Sequence, residues 1–488
     1  MSSVSDMGKK KVTFFLHWLI VLILMFGFRY VPPVGEITPY GMQILGIFLG
    51  LVWGWMFLDF LNPSLLAFLV VVLFVQGQTV GSVTQQSLGN ENIFMCIVIL
   101  ALAQYFEDSG LNKYLANWFV SRKINIGRPW IFSGLLMFAT FFFSAFAQIM
   151  PAMILMWSIT YQIAGDVGLT KQHRWVTFLL VGICMAGSYG CIAAPWQIMG
   201  IDFLAAMTDA IGVTVNMGLY CLVMTAFSVC SIILYVLFGR FVLRIDVTNI
   251  RNEDDRFGYM RQNKMNNRQK QASLIMLLFI VLLMAPNFLP TNWPIISQLN
   301  TLTATGTIVL IIILISLFRD KETGKEMYNT NALLASSSQW NLIIMCGICF
   351  LLINLMESDE AGVINTAVST ITPLVNDLGQ VTCIIIIALV LGILTQFLHN
   401  MVLGLIFIPI VAGVMVEMGG SPIAATLAIS AALMTSFLTP AASTQSAMLF
   451  GMNEETDKKR LVGFAGMSVI AGLLCDICIL MPISLAIF

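Results

Sequence analysis

Apolar residues dominate the chain in long runs, and short polar segments separate the runs. Many runs reach about 18 residues or more, the length that an α-helix needs to cross a bilayer. The pattern predicts an all-α polytopic membrane protein with spans at 12–29, 39–57, 63–77, 92–107, 174–205, 215–240, 273–289, 301–318, 338–357, 422–451 and 462–486.

Two further apolar segments, 129–167 and 380–418, are each long enough for two crossings. Cationic clusters flank the first segment at both ends, and the second segment has none at either end. A re-entrant hairpin explains both patterns, because a hairpin enters and leaves the membrane on one face. We predict a first hairpin that opens to the cytoplasm with its tip near Gln148, and a second that opens to the outside with its tip near Asn400.

Lysine and arginine are clustered between alternate spans. If every cluster faces the cytoplasm, Arg29 is the one basic residue of 24 that lies outside, as the positive-inside rule requires. This places the N-terminus in the cytoplasm and the C-terminus outside, in a cell membrane. The first apolar run resembles a signal peptide, but no small-residue cleavage site follows in "RYVPPVGE", so we interpret it as an uncleaved span.

Composition supports a membrane protein and argues against a nucleic-acid partner. Of 488 residues, 58% are hydrophobic and 10% are charged, and the net charge is -1. Binding to phosphate backbones needs a concentrated basic surface, which this balance does not offer. Two CxxC pairs, Cys346/Cys349 and Cys475/Cys478, lie inside apolar runs and are interpreted as packing residues rather than as metal or redox sites.

Three sequence features recur in the same order in the two halves of the chain. They are "NIFMCIVILALAQYFEDSG" (92–110) and "NLIIMCGICFLLINLMESDEAG" (341–362), the hairpin tips "SAFAQIMPAMILMWSI" (144–159) and "TQFLHNMVLGLIFIPI" (395–410), and the interrupted spans "AAPWQIMG" (193–200) and "AASTQSAMLFG" (441–451). The charge map gives the halves opposite orientations, which indicates an inverted-topology repeat. The predicted domains are a first helix (1–38), a first repeat (39–242), a cytoplasmic linker (243–272) and a second repeat (273–488).

Polar side chains at the two tips and in the two interrupted spans predict a binding site. Non-helical backbone at membrane depth is tolerated only where protein buries it or where it lines a water-filled cavity. Half-helices would direct their positive N-terminal ends at an anion, and unwound carbonyls would face a cation. The pattern is typical of a carrier.

From "ITPYGMQILGIFLGLVWG" onward, the chain resembles the divalent anion/sodium symporters, a family of dicarboxylate and citrate carriers. Members carry a Ser-Asn-Thr triplet at each hairpin tip and a Thr-Pro-Pro-Asn-like stretch in each broken span. The corresponding residues here are Ala147-Gln148-Ile149, His399-Asn400-Met401, Ala194-Pro195-Trp196-Gln197 and Ser443-Thr444-Gln445-Ser446. The resemblance implies that the triplets contact substrate carboxylates and that neighbouring oxygens coordinate sodium. It also implies a homodimer and an elevator-like movement.

The candidate substrate-binding residues are Gln148, Asn400, His399, Ser443, Thr444, Gln445, Pro195 and Gln197, and sodium sites are expected near Ser144, Ala194, Thr395, Asn400 and Ala442. Each has a structural alternative. The amides of Gln148 and Asn400 could join helices, although their matching repeat positions favour a site. His399 could bond to a carbonyl, bind substrate or carry a proton. The small polar residues could cap helices, and Pro195 could break one.

The leading hypothesis is secondary active transport of a small organic anion, a di- or tricarboxylate, by symport or exchange. The alternatives are a membrane-embedded enzyme and a passive anion channel. The chain has no phosphate-binding Gly-Lys loop and no HExxH motif, and paired broken hairpins are typical of carriers rather than channels. No cofactor is expected apart from sodium. The loss of tip hydroxyls predicts that transport does not depend strictly on sodium.

Overall fold

The computed structural model confirms an all-α membrane protein. It describes residues 2–122, 124, 126–146, 149–250, 264–290, 292–319, 328–358, 360–363, 366, 368–370, 373, 378–440, 442–452 and 456–488. The predicted repeat boundaries at 242 and 273 remain a prediction, and residues 251–263 of the linker lie outside the described ranges.

Eleven α-helices form the described part of the first half. They are α1 (Ser2–Gly27), α2 (Pro39–Phe57), α3 (Leu61–Phe74), α4 (Val80–Gln86), α5 (Glu91–Asp108), α6 (Leu111–Val120), α7 (Pro129–Phe146), α8 (Ile149–Asp166), α9 (Arg174–Ala193), α10 (Ile198–Ile211) and α11 (Met217–Leu237). A π-helical turn, Phe238–Val242, extends α11.

The described helices of the second half follow a similar order. They are α12 (Asn267–Phe288), α13 (Pro294–Ser316), α14 (Thr330–Ser337), α15 (Trp340–Glu357), α16 (Gln380–Leu394), α17 (Asn400–Glu417), α18 (Pro422–Leu433), α19 (Thr444–Met452), α20 (Lys458–Cys475) and α21 (Met481–Ile487). A second π-helical segment, Asp476–Leu480, joins α20 to α21.

Helix starts follow local sequence signals. Asn90 caps α5, Asn216 caps α11 and Ser421 caps α18, each by accepting a backbone N–H of the first turn. These side chains satisfy amide groups that have no partner inside the helix. Pro39 and Pro422 stand at the first helical position, where a missing N–H costs nothing.

Eight helices among the described residues are long and apolar enough to cross a membrane, and two bent pairs raise the number to ten. The eleven predicted spans differ from this count because α3 has 14 residues and α18 has 12, so neither alone has a full crossing length. The span predicted at 174–205 likewise consists of α9 and α10, which are separated by a break.

Two hairpins and two broken spans lie where the sequence predicts them. Helices α7 and α8 both pack against α9, and α16 and α17 both pack against α18. We call the segment 146–149 the first tip and residues 395–399 the second tip. Residues 194–197 form the first break, between α9 and α10, and residues 434–443 form the second break, between α18 and α19.

The helices form two packed groups. Helices α1–α5 and α12–α15 form the framework bundle, and α7–α11 and α16–α21 form the hairpin bundle. Helix α9 lies at the centre of the hairpin bundle and is buried from Trp175 to Ala193. Gly190 permits the close approach of α7, because a Cβ atom there would lie 2.0 Å from the Ser144 hydroxyl.

Three short helices were not predicted from the sequence. Helix α4 meets α5 at a bend of 56°, and α14 meets α15 at a bend of 72°. Their sequences, "VGSVTQQ" and "TNALLASS", carry no apolar run long enough to signal a span. Helix α6 is a third short element of this kind. The two bent pairs occupy equivalent places in the halves, in agreement with the internal repeat.

Candidate functional site

The second tip is joined to the second break by the side chain of Gln396. Its Nε2 donates hydrogen bonds to the carbonyls of Gly392 and Thr435 at 2.7 and 2.9 Å. Its Oε1 accepts the backbone N–H groups of Phe437 and Leu438, both at 3.1 Å. Gln396 is 2% exposed, so its amide supplies the partners that buried, non-helical backbone requires.

Three further hydrogen bonds connect the same two segments. The Thr439 hydroxyl donates to the carbonyl of Gln396 at 2.5 Å. The N–H of Asn400 donates to the carbonyl of Ala442 at 3.0 Å, and the hydroxyl of Thr395 donates to that of Leu433 at 3.3 Å. The start of α17 is therefore held against the unwound backbone of the second break.

The first tip and first break are joined through one backbone carbonyl. The indole N–H of Trp196 and the amide of Gln197 both donate to the carbonyl of Ala145, at 2.8 and 3.1 Å. Trp196 is 5% exposed and Gln197 is 8% exposed. Both side chains therefore contribute to a buried joint in addition to any contact with a ligand.

The two joints use equivalent positions of the repeat. Ala145 lies four residues before the first residue of α8, Ile149, and Gln396 lies four residues before the first residue of α17, Asn400. In each half, the carbonyl at this position accepts a hydrogen bond from a side chain in the neighbouring break. The tip-to-break joint is thus a shared feature of both halves.

Counted from the first described residues of α8 and α17, Ile149 and Asn400 occupy like positions. The sequence interpretation pairs Gln148 with Asn400 through the triplets, and that pairing remains a prediction. Gln148 itself lies outside the described residues.

A cavity of about 110 Å³ lies where the tips, the breaks and the framework bundle meet. The starts of four helices line it. They contribute Ile149 and Met150 at α8, Gln197, Ile198 and Met199 at α10, His399 and Met401 at α17, and Thr444 and Gln445 at α19. The remaining wall comprises Cys191 of α9 and the framework residues Phe60, Leu100, Gln339, Leu342 and Met345.

Helix N-termini, rather than charged side chains, provide the positive charge beside the cavity. Its described lining contains no Lys, Arg, Asp or Glu. Each helix start carries a partial positive charge from its aligned peptide dipoles, and four such starts adjoin this space. Backbone amides at helix N-termini are common binding groups for anions.

Four of the predicted substrate-binding residues line this cavity together: Gln197, His399, Thr444 and Gln445. They come from three different segments of the chain. Pro195 instead lines a separate pocket of about 200 Å³ beside α5. The first break therefore presents neighbouring residues to two different spaces.

Asn400 and Ser443 lie behind the cavity wall, and each is 1% exposed. Asn400 is the first residue of α17, and its side-chain oxygen accepts the N–H of Met401 at 2.8 Å. The Ser443 hydroxyl donates to the carbonyl of Ser436 at 3.0 Å and accepts the N–H of Ser446 at 3.1 Å. In this conformation both residues support the backbone of the cavity wall and do not face the cavity.

His399 is a polar side chain with unused hydrogen-bonding capacity at the cavity. Both ring nitrogens are buried, and neither has a hydrogen-bond partner among the residues that the structure describes. The imidazole packs edge-on against Phe60, with ring centroids 5.4 Å apart. A neutral imidazole offers one donor and one acceptor, so His399 can bind an oxyanion or a hydroxyl group.

The groups expected near sodium are engaged in protein hydrogen bonds. The hydroxyls of Ser144 and Thr395 donate to backbone carbonyls at 3.1 and 3.3 Å. The carbonyls of Ala194 and Ala442 and Oδ1 of Asn400 each accept a backbone N–H, at 2.9, 3.0 and 2.8 Å. A hydroxyl that donates its proton and a carbonyl that accepts one N–H each keep lone pairs that can coordinate a cation. The predicted sodium sites therefore remain a prediction.

Sequence reasoning missed some residues that the structure brings to the site. The framework side chains Phe60 and Gln339 line the cavity although no local pattern marks them. Two acidic side chains, Asp202 and Asp476, are each 1% exposed within predicted spans. In the sequence each is a single acid within an apolar run, and no local pattern assigns it a role.

A family model described as a citrate transporter matches residues 48–430. The chain belongs to this family. The resemblance to divalent anion carriers is thereby confirmed, and the membrane-enzyme hypothesis is excluded. As a member of the citrate transporter family, the protein is a multi-pass membrane carrier for citrate-like anions.

A solved structure shows the same fold. The YdaH transporter of Alcanivorax borkumensis has a TM-score of 0.55 and 14% sequence identity, with 82% of this chain and 87% of that chain covered. At this identity the likeness concerns the fold alone. No curated protein gives a significant match to the chain.

Proposed function

We propose that this citrate transporter family member is a secondary active transporter of di- or tricarboxylates. The observation that carries the proposal is the cavity onto which four helix starts converge. Substrate carboxylates would be stabilised there by the helix dipoles and by the amides of Gln197 and Gln445. The hydroxyl of Thr444 and the imidazole of His399 would bind the remaining oxygens.

The absence of Lys and Arg from the described cavity lining suits a carrier. A buried ion pair with a full positive charge would hold a multiply charged anion strongly, and release would become slow. Partial charges and neutral donors provide recognition with easier release. The lack of lining acidic residues also avoids direct repulsion of the substrate.

The two walls of the cavity differ in a way that supports an elevator-type movement. The hairpin bundle contributes Gln197, His399, Thr444 and Gln445, whereas the framework wall is apolar apart from Gln339. A polar site can move along an apolar wall without breaking many hydrogen bonds. We therefore propose that the hairpin bundle carries the substrate past the framework bundle, by symport or exchange.

The surroundings of the carrier are proposed on sequence grounds. The distribution of Lys and Arg supports insertion in a cell membrane with a cytoplasmic N-terminus and an external C-terminus. A homodimer is proposed from the resemblance to divalent anion carriers.

Counterflow in proteoliposomes tests the function. Vesicles loaded with one unlabelled anion are diluted into the same labelled anion, in a series of tri-, di- and monocarboxylates and inorganic sulfate. We expect internal tri- or dicarboxylate to accelerate uptake, and monocarboxylate to have little effect. Uptake that no internal anion accelerates would contradict a carrier and would indicate a passive pathway.

A matched pair of variants controls the assay. Gln197→Leu combined with Gln445→Leu removes two amides from the cavity wall and should abolish the acceleration. Gln104→Leu, on the framework helix α5 and bonded to Asp108 at 2.8 Å, removes an amide away from the cavity and should preserve it. Equal counterflow in both proteins would contradict substrate binding at this cavity.

A further inference from the structure

Asp202 is a buried acid at the contact between the two bundles. It is 1% exposed and lies on α10 of the hairpin bundle, which packs against α5 and α15 of the framework bundle. Its Oδ2 accepts a hydrogen bond from the thiol of Cys346 on α15 at 3.4 Å. Its Oδ1 has no partner within the described part of the chain.

Asp202 stands one helical turn behind the cavity wall. Met199, three residues earlier on α10, lines the cavity, and so does Met345, which precedes Cys346 on α15. Asp202 itself is not among the residues that line the cavity, although it follows one of them by a single helical turn. Any role of Asp202 in transport is therefore not direct contact with the substrate.

The titratable groups near enough for their charge to act on Asp202 are thiols. They are Cys96 on α5, Cys191 on α9, and Cys346 and Cys349 on α15. Helices α17 and α18 also pack against α10. Helix α18 has no titratable residue. The titratable residues of α17 are at its two ends, His399 immediately before its start and Glu417 as its last residue. On α10 itself the other acid is Asp209. None of these groups is a Lys or Arg.

Cys96 and Cys346 occupy equivalent positions of the internal repeat. The alignment that pairs Glu107 with Glu357 also pairs these two cysteines, in "NIFMC" and "NLIIMC". The framework bundle therefore places a thiol from each half near one carboxyl group of the hairpin bundle, and the thiol of Cys346 donates a hydrogen bond to it.

An ionised Asp202 would be unfavourable in this position. A carboxylate removed from water needs an opposite charge or several strong donors, and one thiol at 3.4 Å is a weak substitute. Movement of the hairpin bundle would carry this charge along the apolar framework helices. A protonated carboxyl group is neutral and removes that cost.

We propose that Asp202 is the proton-binding residue of the transport cycle, a role that rests on the proposed carrier function. A proton from the aqueous phase on one side binds the carboxylate before the hairpin bundle moves, and it returns to water on the other side. No other bond is made or broken. Transport of the anion is thereby linked to a proton gradient.

Two measurements on proteoliposomes test the role of Asp202, both with sodium replaced by choline. The first is exchange of labelled for unlabelled citrate at equal pH on both sides. The second is net accumulation of labelled citrate driven by a more acidic exterior. We expect Asp202→Asn to retain exchange, with its dependence on pH reduced, and to lose accumulation. Asp202→Glu should restore accumulation with a displaced pH profile.

Controls separate this role from a structural one. Asp209→Asn, on the same helix, should behave as the wild type in both measurements. Cys346→Ser retains a donor to Asp202 and should displace the pH profile of accumulation while exchange continues, which gives a second readout if Asp202→Asn does not fold. Gradient-driven accumulation by Asp202→Asn at the wild-type level would overturn the proposal, as would a wild type that exchanges citrate without responding to the gradient. Failure of the wild type to exchange any anion would instead overturn the carrier function.

Discussion

The side-chain oxygen of Gln396 lies 3.1 Å from the backbone nitrogen of Phe437 and accepts its N–H, although the residues are 41 positions apart. The bond connects two non-helical segments inside a bundle that is otherwise helical. Phe437 is fully buried, so water cannot replace this acceptor. The second tip and the second break therefore form one unit, and a displacement of either requires the other to follow.

Removal of the Gln396 amide should destabilise the protein. Gln396→Leu leaves backbone groups of the second break without partners, at about 1–3 kcal/mol for each buried group. We expect a clear decrease in thermal stability in detergent. Gln445→Leu is the matched control, because Gln445 lies on the cavity wall and its described bond is to its neighbour Thr444. Equal melting temperatures for both variants would contradict a structural role for Gln396.

Substitutions on and behind the cavity wall should have different effects. Gln445→Ala removes a donor from the proposed carboxylate site, at about 1–3 kcal/mol, or about tenfold in apparent affinity near the middle of that range. Its thermal stability should be unchanged. Asn400→Ala should lower both transport and stability, because the buried Asn400 side chain accepts the N–H of Met401. The concentration dependence of uptake, compared with melting curves, distinguishes the two. Wild-type affinity in Gln445→Ala would remove this residue from the site.

The predicted role of Gln148 is tested in the same assay. Gln148→Ala should weaken uptake while the protein remains folded, since the substitution removes an amide from the first tip. Gln162→Ala, in the same hairpin but near the end of α8, is a suitable control. Uptake by Gln148→Ala at the wild-type rate would reduce this residue to a structural amide.

Much of the fold could be predicted from local sequence. Apolar runs set the long helices, and the interrupted runs gave both hairpins and both breaks. The joints could not be predicted in this way. Nothing near Gln396 indicates that its partners are Phe437 and Leu438, and nothing near Trp196 indicates the carbonyl of Ala145. These contacts depend on how distant segments pack.

The candidate site was predicted in outline but not in detail. The polar tips and breaks do meet at one cavity. Helix ends inside a bundle leave backbone N–H and C=O groups without intrahelical partners, and these groups must be buried by protein or must line a cavity. Which residue of each pair faces the cavity depends on the first residue of the helix. Asn400 lies in the interior, whereas its neighbour His399 lies on the cavity wall. Framework residues such as Phe60 required the tertiary arrangement.

Accessibility of introduced cysteines tests the predicted hairpin orientation. In a variant lacking the native cysteines, single cysteines at Arg128 and Asp166 should react with an impermeant reagent from the cytoplasmic face. Cysteines at Leu378 and Glu417 should react from outside. All four residues flank the hairpins. Labelling of the Arg128 and Asp166 sites from opposite faces would convert the first hairpin into an ordinary crossing and contradict the inverted repeat.

The start of α9 should respond to pH through His173. Its Nδ1 accepts the N–H of Trp175 at 3.3 Å, which requires an unprotonated nitrogen. Burial lowers the pKa of His173. The negative charge of Asp246 raises this pKa in part, and the positive charges of Arg460 and Arg174 lower it further. A lowered pKa means that the unfolded state binds more protons. The stability contribution is therefore complete above the ordinary pKa, about 6.5, and is lost as the pH falls below it.

His173→Asn isolates this effect, because asparagine caps a helix without titrating. We expect the variant to keep its melting temperature as the pH falls, while the wild type loses stability relative to it. His173→Ala should be less stable than the asparagine variant at neutral pH, by about 1 kcal/mol for the lost cap. Parallel pH dependences of the wild type and His173→Asn would exclude His173 as the titrating group.

Transport should not depend strictly on sodium. The first tip has Ala147 and Ile149 where related carriers have hydroxyl residues, and the second has His399 and Met401. Thioether and aliphatic side chains provide no oxygen to a hard cation, so the tips offer fewer side-chain oxygens than those of related carriers. Uptake into proteoliposomes should therefore continue when choline replaces sodium, at two pH values and with or without internal substrate. The variant His399→Gln distinguishes an effect of sodium from an effect of the His399 imidazole, because glutamine does not titrate. A steep, saturable sodium requirement that persists in this variant would show that backbone carbonyls alone complete a sodium site.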